Sequence, residues 1–236
     1  MMREKSPVMA GLQAAVPLVL GYFPIAFSFG VAATRSGLSE VEAFALSLIV
    51  FAGAAQFLAI SLLAGGAPIV VAGLTLAAMN LRHAIYGPTL LQKAGVGATR
   101  RHSWIWAFAL TDEVFAAALG ALAKGQRFSE GFMLVLGACA YASWLAGTAA
   151  GAWAGGGALE GWPAVSAGLD FMLPGLFLAL LLSILSGAQV PVIVVAGAAA
   201  MAGTWWLSGT VGVFAGMIAG AIAGILLPQR RPPDAR

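Results

Sequence analysis

Four stretches of this chain contain no Asp, Glu, Lys or Arg at all: 6–34, 43–81, 131–159 and 171–229. Each is long enough to cross a bilayer, whose hydrocarbon core takes about 20 mainly apolar helical residues. A soluble fold cannot be built on such runs, because an ordinary soluble domain carries about 25% charged residues on its surface. Here charged residues make up 9% and hydrophobic residues 61% of 236. The chain is therefore read as an integral membrane protein. The same balance excludes a nucleic-acid binder, a disordered chain and a secreted disulfide scaffold. The net charge of +3 fits an excess of Lys and Arg on the cytoplasmic side of a membrane protein. The one cysteine, Cys139, sits between alanines and reads as a small buried apolar side chain.

Hydropathy predicts an all-α polytopic fold, one transmembrane domain over 1–236 with short charged tails at 1–7 and 228–236. Six spans are expected at Val8–Ala33, Ala43–Ala64, Pro68–Leu91, Trp104–Ala123, Gly131–Ala154 and Trp162–Leu185. The stretch from Val190 to Leu227 divides at Ser208-Gly209-Thr210 into Val190–Leu207 and Val211–Leu227. That makes about eight helices, with seven, or one re-entrant pair, as the alternative. No signal peptide is expected. Ser39-x-x-Glu42 is a capping box, and Ser103 and Ser129 are candidate N-caps. Trp104, Trp106, Trp162, Trp205 and Trp206 fall near span ends, where indole rings favour headgroups. With eight spans, Arg3, Lys5, Lys124, Arg127, Arg230, Arg231 and Arg236 share one side. Arg35, Lys93, Arg100 and Arg101 share the other. This favours cytoplasmic termini, although the cluster at 93–101 opposes it.

Ionisable groups inside a span cost about 2.5–3.5 kcal/mol each at the helix centre and need a reason. Asp112 and Glu113 fall at the midpoint of the fourth expected span. Neighbours in a helix point about 100° apart, so they need not share a partner. Arg82 lies inside the third span, and Asp112 or Glu113 is its expected counter-ion. Tyr86 shares a face with Arg82, and Asn80 with His83. His83 reads first as a core histidine bonded to a carbonyl, and second as a functional group. Asp170 lies early in the sixth span. Gln56, in the middle of the second, offers its amide to a substrate or to a neighbouring helix. No metal site and no cofactor fingerprint is present.

Pro24 and Pro174 lie within the first and sixth spans, where proline frees a carbonyl and kinks or breaks a helix. Broken segments in oppositely directed spans point to an inverted-repeat transporter. Gly212, Gly216, Gly220 and Gly224 line one face of the last span, for close packing with another helix or a partner subunit.

Five segments together resemble a known family. They are Gly21-Tyr-Phe-Pro-Ile-Ala-Phe-Ser-Phe-Gly30, Phe51-Ala-Gly-Ala-Ala-Gln-Phe57, Arg82-His-Ala-Ile-Tyr-Gly87, Leu110-Thr-Asp-Glu-Val-Phe-Ala116 and Phe171-Met-Leu-Pro-Gly175. The chain resembles, from Leu18 to Leu227, the AzlC family of branched-chain amino acid exporter subunits, and within it the type that exports valine as a two-subunit complex. The resemblance implies outward transport of valine, leucine or isoleucine across the inner membrane. It also implies a small membrane partner of the AzlD/YgaH type and no enzymatic activity.

For such a substrate the residues divide by chemistry. The carboxylate suits Arg82 or a helix N-terminus at Pro24 or Pro174. The ammonium suits Asp112, Glu113 or Asp170. The branched side chain suits Phe27, Phe57 and Met172. Gln56, Asn80 and Tyr86 supply further polar contacts. Arg82 against two carboxylates leaves one negative charge that a proton can neutralise, making Asp112, Glu113 and His83 the proton-coupling candidates. The alternatives are a channel for a small solute and an intramembrane enzyme using Ser36, Ser186 or Ser208 with His83.

Overall fold

The structure is a computed structural model that describes residues 6–95, 101–158, 161–165, 167–168, 171, 175, 178, 187 and 189–226. Among them there is no strand, and the fold is the expected all-helical polytopic membrane protein. The sixth expected span falls mostly outside these residues, as do Asp170, Met172 and Pro174. Two compact units separate: Met1–Ser61 with Val70–Leu173, and Leu62–Ile69 with Pro174–Arg236.

The first unit is organised around two long helices, α1 (Pro7–Arg35) and α8 (Glu130–Trp153). Between them in sequence lie α2 (Glu40–Ile49), α3 (Gly53–Ala64), α4 (Ile69–Asn80), a 3₁₀ turn (Leu81–Ile85), α5 (Tyr86–Ala94), α6 (Ser103–Phe108) and α7 (Asp112–Ala123). Ser6, Ser39, Thr111 and Ser129 cap α1, α2, α7 and α8, and the Ser39–Glu42 capping box is complete. Ser103 is not a cap: it is the first residue of α6, behind His102.

α1 and α8 run parallel in a fixed register. Gly11 meets Val135, the Val19 carbonyl accepts a hydrogen bond from Ser143, and Gly147, Gly151 and Gly155 meet Phe23, Phe27 and Val31. Every pair is 124 residues apart, as in the Ser143–Val19 bond. The approach is backbone to backbone. A β-carbon on Gly147 would stand 2.5 Å from the Phe23 carbonyl oxygen, and one on Gly151 would strike that of Phe27. Small residues permit such contact, and dispersion across it holds helices together where lipid offers no hydrophobic drive.

Three expected spans are interrupted, but not at Pro24. α1 continues through Pro17 and Pro24, and the Ser28 hydroxyl donates to the Pro24 carbonyl. Proline costs a helix one backbone bond, and the surrounding contacts of α1 with α8 hold it helical regardless. The interruptions fall instead at residues 50–52, in the 3₁₀ turn at Leu81–Ile85, and at residues 109–111.

At two of these breaks the chain turns back. α2 descends along α8, with Glu40 beside Gly156 and Ser47 bonded to Thr148 at 2.8 Å. Past the break, Gln56 of α3 returns to Ser47 at 3.0 Å, and Phe57 packs edge-on to Phe29. A continuous helix would separate residues 47 and 56 by about 13 Å. α6 enters at the other end of α8: the Glu130 carboxylate accepts from the His102 N–H at 2.7 Å and the Trp106 indole at 3.4 Å. It then runs beside α8 until Ala109 abuts Gly137 and Phe108 packs on Tyr141. α7 leads back, and Ala121 and Lys124 line a pocket with Ala10 and Phe132 near the start of α1 and α8. Segment 103–123 is thus a hairpin that enters and leaves at one end of α8, where a single crossing helix was expected. Trp106, expected at a headgroup, is buried at 1% exposure as part of that seat, while Trp104 is 74% exposed.

A polar cluster pins the first break. Gln56, fully buried, donates to Ser47 and accepts from the Trp144 indole at 2.9 Å, and the Tyr141 hydroxyl donates to the Leu48 carbonyl at 2.7 Å. Gln56→Leu leaves the Trp144 N–H and the Ser47 hydroxyl short of a partner. It is expected to cost about 2 kcal/mol, read as a lower unfolding midpoint in detergent.

In the second unit, α9 (Val190–Trp206) and α10 (Gly209–Leu226) form a hairpin across Ser208, where the break was expected. Gly212, Gly216 and Gly220 face Ala196, Ala200 and Thr204, so the glycine face is used inside the chain; a β-carbon on Gly224 meets nothing within 4 Å.

Candidate functional site

The first turn of α7 explains how two carboxylates are tolerated here. Thr111 is extended, and its hydroxyl accepts from the Val114 N–H at 3.2 Å. Asp112 and Glu113 are the first two helical residues. They were expected at the centre of a continuous span. At a helix N-terminus the unpaired N–H groups and the aligned peptide dipoles favour negative charge.

The two side chains diverge, as their 100° separation requires. Asp112 turns to the 3₁₀ turn and α5. Arg82 Nη2 stands 2.8 Å from its Oδ2, Tyr86 donates to Oδ1 at 2.5 Å, and His83 Nε2 is 3.5 Å from Oδ1. Tyr86 also stacks on Phe115 at 4.3 Å, which holds α5 to α7. The Arg82 and Asp112 side chains are 45% and 43% exposed in this chain. Glu113 turns to α1, where the Tyr22 hydroxyl donates to its Oε2 at 2.7 Å and also bonds the Thr111 hydroxyl. Tyr22 is itself buried.

The Tyr22 ring reaches the other break. It packs edge-on to Phe51 at 6.0 Å and to Trp144 at 5.3 Å. Phe51 in turn meets Tyr141 at 5.0 Å. The two turned-back segments, entering from opposite ends of α8, therefore meet at Tyr22.

Of the residues singled out by sequence, Arg82, His83, Tyr86, Asp112 and Glu113 come together. Asn80 precedes the 3₁₀ turn beside them. Its buried side-chain oxygen has no hydrogen-bond partner among the described residues. Gln56 is engaged by protein groups on both sides. Phe27 and Phe57 lie towards the Arg35 end of α1, Phe57 enclosed against Phe29, rather than at the depth of Tyr22. Pro24 offers no helix N-terminus, because α1 does not break there.

Tyr22, Thr111 and Phe51 were not among the site residues expected from sequence. Thr111-Asp-Glu carries the signal that was available: a capping residue followed by acids is a helix start. Likewise Gly147-x-x-x-Gly151-x-x-x-Gly155 repeats the spacing recognised at Gly212–Gly224.

Comparison with known proteins adds a family. A profile described as "AzlC protein" matches residues 17–157. The chain is 40% identical to "Inner membrane protein YgaZ" of Escherichia coli, over 92% of this chain and 89% of that one. It is 42% identical to an "Uncharacterized membrane protein" of Archaeoglobus fulgidus, over 92% of both chains. It is 27% identical to "Branched-chain amino acid transport protein AzlC" of Bacillus subtilis, over 75% of this chain and 69% of that one. No solved structure matches.

Proposed function

This chain belongs to the AzlC family, and we propose that it is the large subunit of a two-component secondary transporter. It moves branched-chain amino acids, L-valine and its relatives, outward across the cytoplasmic (inner) membrane, driven by the proton gradient. It is not an enzyme. The observation that carries the reading is the Arg82–Asp112 ion pair at 2.8 Å, beside Glu113, whose partner is the neutral Tyr22 hydroxyl.

One cation against two carboxylates leaves one negative charge. A substrate ammonium or a proton neutralises it, and competition between the two on Glu113 couples their movements. Arg82 has five N–H donors and keeps some for the substrate carboxylate while paired with Asp112. Asn80 offers the ammonium a side-chain oxygen that has no hydrogen-bond partner among the described residues. His83, against Asp112, tunes the same balance. Met172, Asp170 and Pro174 remain candidates for the apolar and polar ends of the path, and a small AzlD-type subunit completes the transporter.

Orientation follows from charge. Lys93, Arg101, Lys124 and Arg127 belong to the segments that flank the 103–123 hairpin, whereas Arg35 lies at the opposite end of α1. A hairpin removes the conflict that a crossing helix created, and the basic end, with the N-terminus, is cytoplasmic. Loss of this gene together with the gene for the small AzlD-type subunit is expected to raise intracellular valine, leucine or isoleucine. Rescue should need both chains and fail with Asp112→Asn or Glu113→Gln. Unchanged pools in the deletion strain, or full rescue by both variants, would refute the reading.

A further inference from the structure

We propose that Tyr22 is a positioning residue for the proton-coupling step, one that ties the protonation of Glu113 to the contact between the two turned-back segments. The inference rests on Glu113 being the coupling carboxylate. Tyr22 has a hydroxyl on one break and a ring on the other. Its O–H donates to Glu113 Oε2 at 2.7 Å and meets the Thr111 hydroxyl, while its ring packs on Phe51 and Trp144.

With Glu113 charged, the hydrogen bonds run in one direction, from the Thr111 O–H to the Tyr22 oxygen and from the Tyr22 O–H to the carboxylate. Such chains strengthen with charge at their end. When Glu113 gains a proton it no longer needs the donor, and the Tyr22 hydroxyl turns to Thr111. The contact between Tyr22 and Glu113 is therefore tightest when the carboxylate is empty of proton. The other groups facing this carboxylate act through Asp112 on its own helix: Arg82, His83 and Tyr86 all reach Asp112. From α8, Tyr141 is engaged by the Leu48 carbonyl. Tyr22 is thus the direct donor, and its removal is felt at Glu113 without discharging the Arg82 pair.

The test uses the two-subunit transporter in proteoliposomes, with L-valine flux measured across a pH series. Tyr22→Phe keeps the ring and removes the donor. It should move the midpoint of the pH dependence upward by about half a unit or more and leave KM for valine within about threefold of wild type. Tyr22→3-fluorotyrosine keeps ring and bond but strengthens the donor, and should move the midpoint downward. In Glu113→Gln, read as downhill valine exchange that needs no proton coupling, the pH dependence should flatten, and adding Tyr22→Phe should change it no further. If both Tyr22 variants keep the wild-type midpoint while Glu113→Gln flattens the profile, Tyr22 has no such role and Glu113 still does. If Glu113→Gln keeps the wild-type profile, both assignments fall.

Discussion

Replacing Arg82 with glutamine is expected to cut transport at least about 100-fold, equivalent to about 2.7 kcal/mol of barrier, while the protein still folds. Arg82 and Asp112 are each nearly half exposed, and an ion pair of that kind contributes about 1 kcal/mol or less to stability. Its electrostatic role is larger. Without Arg82, the first turn of α7 carries two carboxylates and no cation faces Asp112 from the 3₁₀ turn. The charge balance on which substrate and proton compete is then lost, and so is the donor for the substrate carboxylate. Arg82→Lys keeps the charge but loses the planar fork that spans Asp112 and a substrate carboxylate, so it should recover only part of the activity. Asp112→Asn added to Arg82→Gln restores the original charge balance and should recover more than Arg82→Gln alone. Flux of L-valine in proteoliposomes distinguishes these outcomes.

Gly151→Leu should be the most damaging single change to the fold. Its side chain would have to enter the space of the Phe27 backbone, where α1 and α8 touch. The neighbour is main chain, so no side-chain rotation relieves it. Overpacking in rigid surroundings costs about 3 kcal/mol, and here it also breaks the register that runs from Gly11 to Gly155. A marked loss of folded protein in detergent, absent for a leucine at the open position Gly161, is the expected result.

The membrane class, the caps at Ser39 and Ser129 and the division at Ser208 were legible because each depends on local chemistry. So was the ion pair, since a lone cation and two carboxylates in apolar surroundings must find one another. The positions of the helix breaks were not. Proline is the local residue that kinks or breaks a helix, yet Pro24 is held helical by the α1–α8 contact. The real breaks lie where Thr111 caps a new helix and where Gln56 bonds Ser47 across the break and Trp144 from 88 residues away. Those bonds are tertiary, and hydropathy averaged over about 20 residues cannot register a turn of three. The hairpins followed from them. So did the part of Tyr22, which carries no charge to draw attention and acts by bridging elements far apart in sequence.

The most direct test of this architecture is thiol labelling from each face of the membrane. With Cys139→Ala as background, Arg101→Cys and Lys124→Cys flank the segment 103–123. A membrane-impermeant maleimide applied to intact cells and to inverted vesicles should label both positions from the same face, with Arg35→Cys labelled from the opposite one. Labelling of Arg101→Cys and Lys124→Cys from opposite faces would mean that the segment crosses the membrane as a single helix. Asp112, Glu113 and Tyr22 would then not meet as described.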